Sequence, residues 1–228
     1  MLLTIPAVLN PDELARARAI LATAPWADGK ATAGYQSAMV KRNQQLPEEA
    51  AETRELQKLV LQALGRNAMF ASAALPLRVY PPLFNRYGEG MTFGDHIDNA
   101  IRRPPAGQGG PLRTDVSATL FISEPGDYEG GELVVEDSYG SHRVKLAAGA
   151  MVVYPASSIH RVEPVTRGAR IACFFWVQSL VREDARRTLL FDLDGALGGL
   201  RKRGLAGEPE MIGLTGIYHN LLRMWSET

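Results

Sequence analysis

Short apolar runs with a period of two residues occupy the middle of this 228-residue chain. In the clearest of them Val116, Ala118, Leu120 and Ile122 recur at every second position, which places them on one face of a strand. This run ends at the turn-forming residues 124–127. Further short runs follow, each bounded by Gly, Pro, Ser or Asp: 132–136, 143–146, 150–154, 161–165 and 170–177. Such spacing is typical of an antiparallel sandwich or barrel.

Helical periodicity precedes these strands. Asn10 is an expected N-cap and Pro11 an expected first helical residue of an amphipathic helix, because both residue types favour those positions. A second helix is expected to begin near residues 47–49 and to bury one stripe of apolar side chains. Its members are Leu56, Leu59, Val60, Ala63 and Leu64. We therefore expect two helices before the strands.

Helical periodicity also follows the strands. Two more helices are predicted beyond Gln178, and the first should end near Gly195, because glycine weakens a helix interior. The pair would cover an exposed flank of the sheet or form a subunit interface, which makes a homo-oligomer possible. The expected fold is α+β, mainly β, with a β domain at residues 1–178 and a small helical module at 179–228.

The composition excludes several classes of protein. Hydrophobic residues make up 46% of the chain, which is too much for a disordered protein. The 25 basic and 25 acidic residues balance, so a nucleic acid or an anionic membrane surface is not an expected partner. The single cysteine, Cys173, lies in an apolar run and predicts a buried thiol. With no evident leader peptide or membrane-spanning run, we expect a cytoplasmic protein.

Two metal-binding residue types lie close together at His96 and Asp98. On an extended backbone, positions i and i+2 project from the same face, so both side chains can reach one ion. Taken alone, a His-x-Asp pair is more often a surface or hydrogen-bonded pair. His160, at the start of a later predicted strand, would complete a set of two histidines and one carboxylate, which suits non-haem iron(II). Three protein ligands leave three positions of an octahedral ion for a bidentate 2-oxo acid and dioxygen.

A basic residue opens the apolar strand that follows His160. Arg170 lies ten residues after that histidine, and its planar guanidinium matches a carboxylate in two hydrogen bonds. The distal carboxylate of 2-oxoglutarate is the natural candidate for its partner. An internal salt bridge is the alternative for Arg170 considered alone.

Residues 85–100, NRYGEGMTFGDHIDNA, followed by 127–133, DYEGGEL, and by Tyr154-Pro155 leading to His160, resemble the PKHD-type hydroxylases. These belong to the prolyl-4-hydroxylase-like branch of the iron(II)- and 2-oxoglutarate-dependent oxygenases, and the resemblance covers essentially the whole chain.

The resemblance implies a distorted double-stranded β-helix, or jelly roll, with iron(II) bound by His96, Asp98 and His160. It also implies that Arg170 anchors 2-oxoglutarate, that Tyr87 donates its hydroxyl to the same molecule, and that ascorbate keeps the iron reduced. For Tyr87 the alternative is a packed aromatic side chain at the barrel rim. Because Asp98 retains the carboxylate that related halogenases lack, hydroxylation is favoured over halogenation.

The expected activity is hydroxylation of a substrate C–H bond by dioxygen, with decarboxylation of 2-oxoglutarate to succinate. One alternative is a non-catalytic sensor of iron, oxygen or 2-oxoglutarate on the same barrel. Another is a different metalloenzyme on a related barrel, which would not need Arg170. The substrate, a small molecule or a peptide, is not identified by the sequence.

The connection at residues 99–113 is rich in Pro, Gly and Arg. Long connections of this kind are often lids or binding loops, so a mobile lid and a solvated loop without function are both open interpretations. Arg102, Arg103 and Arg113 would favour an anionic or carbonyl-rich partner if this loop is a lid. His142 and His219 are expected to be structural or exposed, without a metal.

Overall fold

The computed structural model describes residues 1–32, 39–105, 107 and 109–227. Most of its strands lie in two antiparallel sheets. The order of the larger sheet is β1 (Leu3–Ile5), β14 (Met151–Pro155), β10 (Val116–Phe121), β17 (Arg170–Ser179), β6 (Leu83–Tyr87), β4 (Gln44–Gln45) and β2 (Ala27–Asp28), with β5 (Pro76–Val79) also paired to β17. The order of the smaller sheet is β13 (Gly140–Val144), β12 (Leu133–Asp137), β15 (His160–Val162), β7 (Thr92–His96) and β3 (Lys41–Arg42).

Two short antiparallel strand pairs complete the described β structure. One joins β11 (Tyr128–Gly130) to β16 (Val165–Gly168), and the other joins β8 (Ile101–Arg102) to β9 (Leu112–Arg113). Gly130 has a φ of +68°, and a Cβ atom there would lie 2.1 Å from the Pro164 carbonyl oxygen. The sequence therefore uses glycine at this position because no other residue fits the turn.

Three helices pack on the outer face of the larger sheet: α1 (Pro11–Thr23), α2 (Ala51–Gly65) and α3 (Ala68–Ala74). Asn10 caps α1 in a reciprocal capping box with Glu13, as the sequence predicts for its N-cap. Helix α2 buries the predicted apolar stripe but begins at Ala51, a few residues later than expected. The expectation of only two helices was wrong, because α3 is too short to display a clear helical period.

The inner faces of the two sheets enclose an apolar cluster that is separate from the one between the larger sheet and its helices. Its members include Tyr87, Phe121, Val152 and Tyr154 from the larger sheet and Leu133, Val135 and Val162 from the smaller one. Every residue of β10 is buried, because helices cover one face of this strand and the smaller sheet covers the other. The predicted α+β jelly roll is confirmed by this arrangement, and it leaves a cavity between the sheets.

The C-terminal module consists of α4 (Asp184–Lys202) and α5 (Pro209–Trp225). Helix α4 continues through Gly195 to Lys202, so the predicted end near Gly195 was wrong. Burial of Leu190 and Leu197 outweighs the cost of about 1 kcal/mol for each glycine in a helix interior. The module packs against α3, where Ser72 Oγ donates to Asp194 Oδ2 at 2.7 Å. No helix in the described ranges is both long and apolar enough to span a bilayer.

Candidate metal and cosubstrate site

The two predicted histidine ligands lie on neighbouring strands of the smaller sheet. His96 ends β7 and His160 begins β15, and the two residues are directly opposite each other in the antiparallel register. Their ring centroids are 4.2 Å apart. Strand pairing therefore brings together two imidazoles that are 64 positions apart in the sequence.

Each imidazole is oriented by a backbone carbonyl. His96 Nδ1 donates to the Gly94 carbonyl oxygen at 2.8 Å, and His160 Nδ1 donates to that of Ser158 at 3.0 Å. A proton on Nδ1 leaves Nε2 with its lone pair directed away from the backbone, as a metal ligand requires. Both rings are thus held in the tautomer that can bind an ion through Nε2.

The third predicted ligand, Asp98, lies just beyond the end of β7. Its Oδ2 atom is 3.7 Å from His160 Nε2 and accepts a hydrogen bond of 2.6 Å from Ser117 Oγ on β10. Potential ligand atoms of His96, Asp98 and His160 all lie within 4.8 Å of one another. Two imidazoles and one carboxylate at this spacing fit the donor set of non-haem iron(II).

The electrostatics of His96 favour a neutral, metal-binding ring. Burial, followed by the nearby His160, lowers the pKa of His96 to about 4. Proton competition at this nitrogen is therefore weak at neutral pH, since the ring is already deprotonated. Phe93 stacks on the His96 ring at a centroid distance of 3.6 Å and further limits its movement.

Arg170 lies at the inner end of the cavity and is only 1% exposed. Its guanidinium carbon is 5.4 Å from the centre of the Tyr87 ring and 5.3 Å from that of Phe121. Among the described residues, Arg170 Nε and Nη1 have no hydrogen-bond partner. A buried guanidinium with unused donors is costly unless an anion binds there, so the residue fits a carboxylate ligand and not the internal salt bridge.

Tyr87 lies directly opposite Arg170 in the register of β6 and β17. Burial raises the pKa of Tyr87 to about 12, so its hydroxyl remains a hydrogen-bond donor at physiological pH. Tyr128 lies nearby, and its buried hydroxyl has no hydrogen-bond partner within the described ranges. Burial raises the pKa of Tyr128 as well, and Arg170 partly offsets that rise. The inner end of the cavity thus offers one cation and neutral phenol groups to an anion.

Sequence reasoning missed two residues of this site, Ser117 and Tyr154. Ser117 pairs with Tyr154 on β14 and with Trp176 on β17, so the three form one row across the larger sheet. The Tyr154 ring packs edge-on against His160 at a centroid distance of 5.1 Å. Burial and then Asp98 raise the pKa of Tyr154 well above its ordinary value. Ser117 could have been identified from the sequence as a polar residue at an inward-facing position of an otherwise apolar strand.

The cavity between the sheets contains about 770 Å³ of empty space, counted to its open mouth. We call its deep end, lined by Tyr87, Thr119 and Arg170, the inner half. The outer half is lined by Lys41, Arg102 and Trp176, and Asn85 lines the same cavity two positions before Tyr87 on β6. The candidate metal ligands lie on the wall of the same cavity.

The 99–113 connection contains the β8–β9 pair, while residues 106 and 108 lie outside the described part of the chain. Arg102 lines the cavity, whereas Arg113 pairs with Asp115 and Glu227. Arg103 is exposed. That this connection moves as a lid remains a prediction.

The other residues that were named from the sequence, two histidines and the cysteine, lie away from this cavity. His142 pairs with Asp137 at 2.8 Å on an exposed hairpin, and His219 is exposed on α5. Cys173 is fully buried, as predicted.

The chain is similar in sequence to known proteins over nearly its whole length. Residues 82–178 match the family model of the 2OG-Fe(II) oxygenase superfamily, and residues 184–227 match the PKHD-type hydroxylase C-terminal domain. A PKHD-type hydroxylase from Caulobacter sp. (strain K31) is 58% identical over 227 residues, covering 100% of both chains.

Solved structures resemble the fold at lower sequence identity. A Pseudomonas putida prolyl-4-hydroxylase is 21% identical with a TM-score of 0.51, over 78% of this chain and 92% of that one. An oxidoreductase of the 2OG-Fe(II) oxygenase family from Burkholderia pseudomallei is 18% identical with a TM-score of 0.53, over 80% and 85%. These likenesses bear out the double-stranded β-helix.

Proposed function

Because the chain belongs to the PKHD-type hydroxylases, an iron(II)- and 2-oxoglutarate-dependent family, we propose that His96, Asp98 and His160 hold the iron. The observation that supports this assignment most strongly is that their potential ligand atoms all lie within 4.8 Å of one another. Both histidines have Nδ1 engaged with the backbone, which supports ligation through Nε2. The protein is a dioxygenase, and its substrate is unidentified.

The bound iron and 2-oxoglutarate supply the oxidising chemistry, in which dioxygen hydroxylates a C–H bond and 2-oxoglutarate becomes succinate and carbon dioxide. The chain's own residues position these components. Ser117 holds the Asp98 carboxylate through a hydrogen bond of 2.6 Å. Phe93 and Tyr154 pack on the two imidazoles and exclude water from them.

We assign the anchoring of 2-oxoglutarate to Arg170 and Tyr87. Guanidinium nitrogens of Arg170 without partners in the described structure support a charge-assisted contact with the distal carboxylate. The Tyr87 hydroxyl, kept protonated by burial, donates to the same anion. We also propose that the protein is cytoplasmic. Ascorbate would serve as the reductant that keeps the iron divalent.

The proposal also divides the chain into an oxygenase domain at residues 1–178 and a helical module at 179–228. The separate family matches at 82–178 and 184–227 support this division. A homo-oligomer through the C-terminal helices is supported by exposed apolar side chains on α5. These are Ile212, Ile217 and Met224.

The experiment that tests the iron assignment measures succinate formed from 2-oxoglutarate by the iron(II)-loaded protein in air. We expect His96→Ala to remain folded and to lose at least about 100-fold of this activity, since losing an outer-shell partner alone costs up to that factor. His142→Ala is the matched control, because this histidine is exposed and distant from the cavity. Retained succinate formation in folded His96→Ala protein would remove His96 from the metal site.

A further inference from the structure

The outer half of the cavity contains two basic side chains on separate short strands. Lys41 lies on β3 and is 4% exposed, and Arg102 lies on β8. Both line the same cavity. Burial and then the charge of Arg102 lower the pKa of Lys41 to about 8, while the charge of Asp28 acts in the opposite direction.

Both cations are held in place by neighbouring side chains. The Arg102 guanidinium carbon lies 3.9 Å from the centre of the Trp176 ring and 5.2 Å from that of Tyr80. Lys41 Nζ donates to Gln45 Oε1 at 3.0 Å and lies 5.5 Å from the centre of the Phe93 ring. These contacts fix the positions of the charges without neutralising them.

Two carboxylates act on this pair through their charge, Asp28 on Lys41 and Glu48 on Arg102. In the described part of the chain Arg102 forms no ion pair. Burial raises the pKa of Glu48, and the charge of Arg102 partly offsets that rise. The Glu48 carboxylate accepts a long hydrogen bond of 3.5 Å from the Tyr80 hydroxyl. The Arg102 guanidinium is therefore available to an anion that enters the cavity.

A charge balance can be drawn up for the inner half when iron(II) and 2-oxoglutarate fill it. The positive charges of iron(II) and Arg170 equal the negative charges of Asp98 and the two carboxylates of 2-oxoglutarate. The loaded inner half is thus neutral by this count, and Lys41 and Arg102 are not needed to balance its charges, although they line the same cavity.

An independent observation indicates that the cavity is built for a polar group. Asn85 lines the cavity and is 8% exposed. Within the described ranges its Oδ1 atom has no hydrogen-bond partner, which is costly for a buried amide. A ligand with an N–H or O–H group would satisfy this oxygen.

We propose that Lys41 and Arg102 together bind a carboxylate of the substrate, so that the hydroxylated molecule is an acid held beside Trp176 and Asn85. This inference rests on the proposed function, because it assumes that 2-oxoglutarate fills the inner half. The carboxylate belongs to a free organic acid or to an acidic group of a peptide.

The test uses benzoate and its uncharged analogue benzamide as probes. The protein is loaded with Mn²⁺ and saturating 2-oxoglutarate, and binding is followed by metal-induced relaxation of the probe protons in NMR spectra. We expect wild-type protein to relax benzoate and not benzamide. Lys41→Met and Arg102→Met should each weaken benzoate binding at least about 10-fold, which corresponds to the loss of one charge-assisted contact. Lys30→Met, which removes an exposed lysine outside the cavity lining, should bind benzoate like wild type.

Equal binding of benzoate and benzamide, absence of benzoate relaxation in the wild type, or unchanged benzoate affinity in both variants would overturn the proposal. Loading with Mn²⁺ and 2-oxoglutarate is measured separately on every protein. Failure of the wild type to bind 2-oxoglutarate would instead count against the proposed function. The two substitutions lie on different elements, so a folding defect in one leaves the other informative.

Two reactions under ¹⁸O₂ then distinguish the sources of the carboxylate. Iron-loaded protein is incubated with a small-molecule extract in one and with a proteolytic peptide digest in the other, and His96→Ala protein is the blank. Label in a free acid or in an acidic peptide supports the proposal and identifies its source. A labelled product without an acidic group contradicts it.

Discussion

The inner and outer halves of the cavity are built from different kinds of structure. Arg170 and Tyr87 lie on long or central strands of the larger sheet and face each other in register. Lys41 and Arg102 lie on β3 and β8, which are two-residue strands. Regular strand pairing thus fixes the groups proposed for iron and 2-oxoglutarate, whereas short peripheral elements supply the groups proposed for the substrate. This difference allows one half to change while the other keeps its chemistry.

The largest expected effect comes from removing the cation of the inner half. Arg170→Met should weaken 2-oxoglutarate binding by about 2–5 kcal/mol, or roughly 30-fold or more, because a buried carboxylate would lose its charged partner. Iron affinity should change little, since Arg170 is not among the metal-binding groups. Titration of 2-oxoglutarate in calorimetry checks this, with Arg86→Met on the same strand pair as control. Equal affinity in Arg170→Met and wild type would rule out the anchor.

A smaller effect is expected at the support of the metal site. Ser117→Ala removes the hydrogen bond to Asp98 and should weaken iron(II) affinity about 10- to 100-fold, as loss of an outer-shell partner does. Competition with a chelator of known affinity measures this change. Ser141→Ala, which removes a serine–carboxylate bond on an exposed hairpin, should leave iron affinity unaltered. If both variants bind iron alike, Ser117 does not orient the ligand.

The smallest effect concerns Tyr87 and its pH dependence. Tyr87→Phe should weaken 2-oxoglutarate binding roughly 2- to 10-fold, the value of one hydrogen bond. Because burial raises the pKa of Tyr87 to about 12, the ratio of wild-type to Tyr87→Phe affinity should stay constant from about pH 7 to 10. An ordinary tyrosine, with a pKa of about 10, would ionise over the upper part of this range and repel the anion. A ratio that falls towards pH 10 would contradict a buried, neutral donor.

The same contrast explains what could be predicted from the sequence. His96, Asp98 and His160 could be predicted from their residue types and spacing together with the family resemblance, and Arg170 from its place at the start of an apolar run. Lys41 and Asn85 were not identified, because two-residue strands have no measurable period and Asn85 reads as part of an ordinary strand. Ser117 and Tyr154 were missed since they look like sheet-core residues until the register with β17 is known.

The errors in the helices have a similar origin. Helix α3 spans Ala68–Ala74, which is about two turns and too short for a clear periodic signal. Gly195 suggested a helix end from propensity alone, but burial of Leu190 and Leu197 against neighbouring elements overrides that local preference. Local rules predicted the strands well because their burial repeats along the sequence, and failed where tertiary packing decided.

The central claim is that one ion is shared by residues 96, 98 and 160 next to an anion on Arg170. Crystals grown without oxygen, with Mn²⁺ and 2-oxoglutarate, would test it through the anomalous signal of the metal. The account predicts one peak within bonding distance of His96 Nε2, an Asp98 carboxylate oxygen and His160 Nε2, with the distal carboxylate of 2-oxoglutarate on the Arg170 guanidinium. A metal peak elsewhere, or a 2-oxoglutarate carboxylate distant from Arg170, would contradict it.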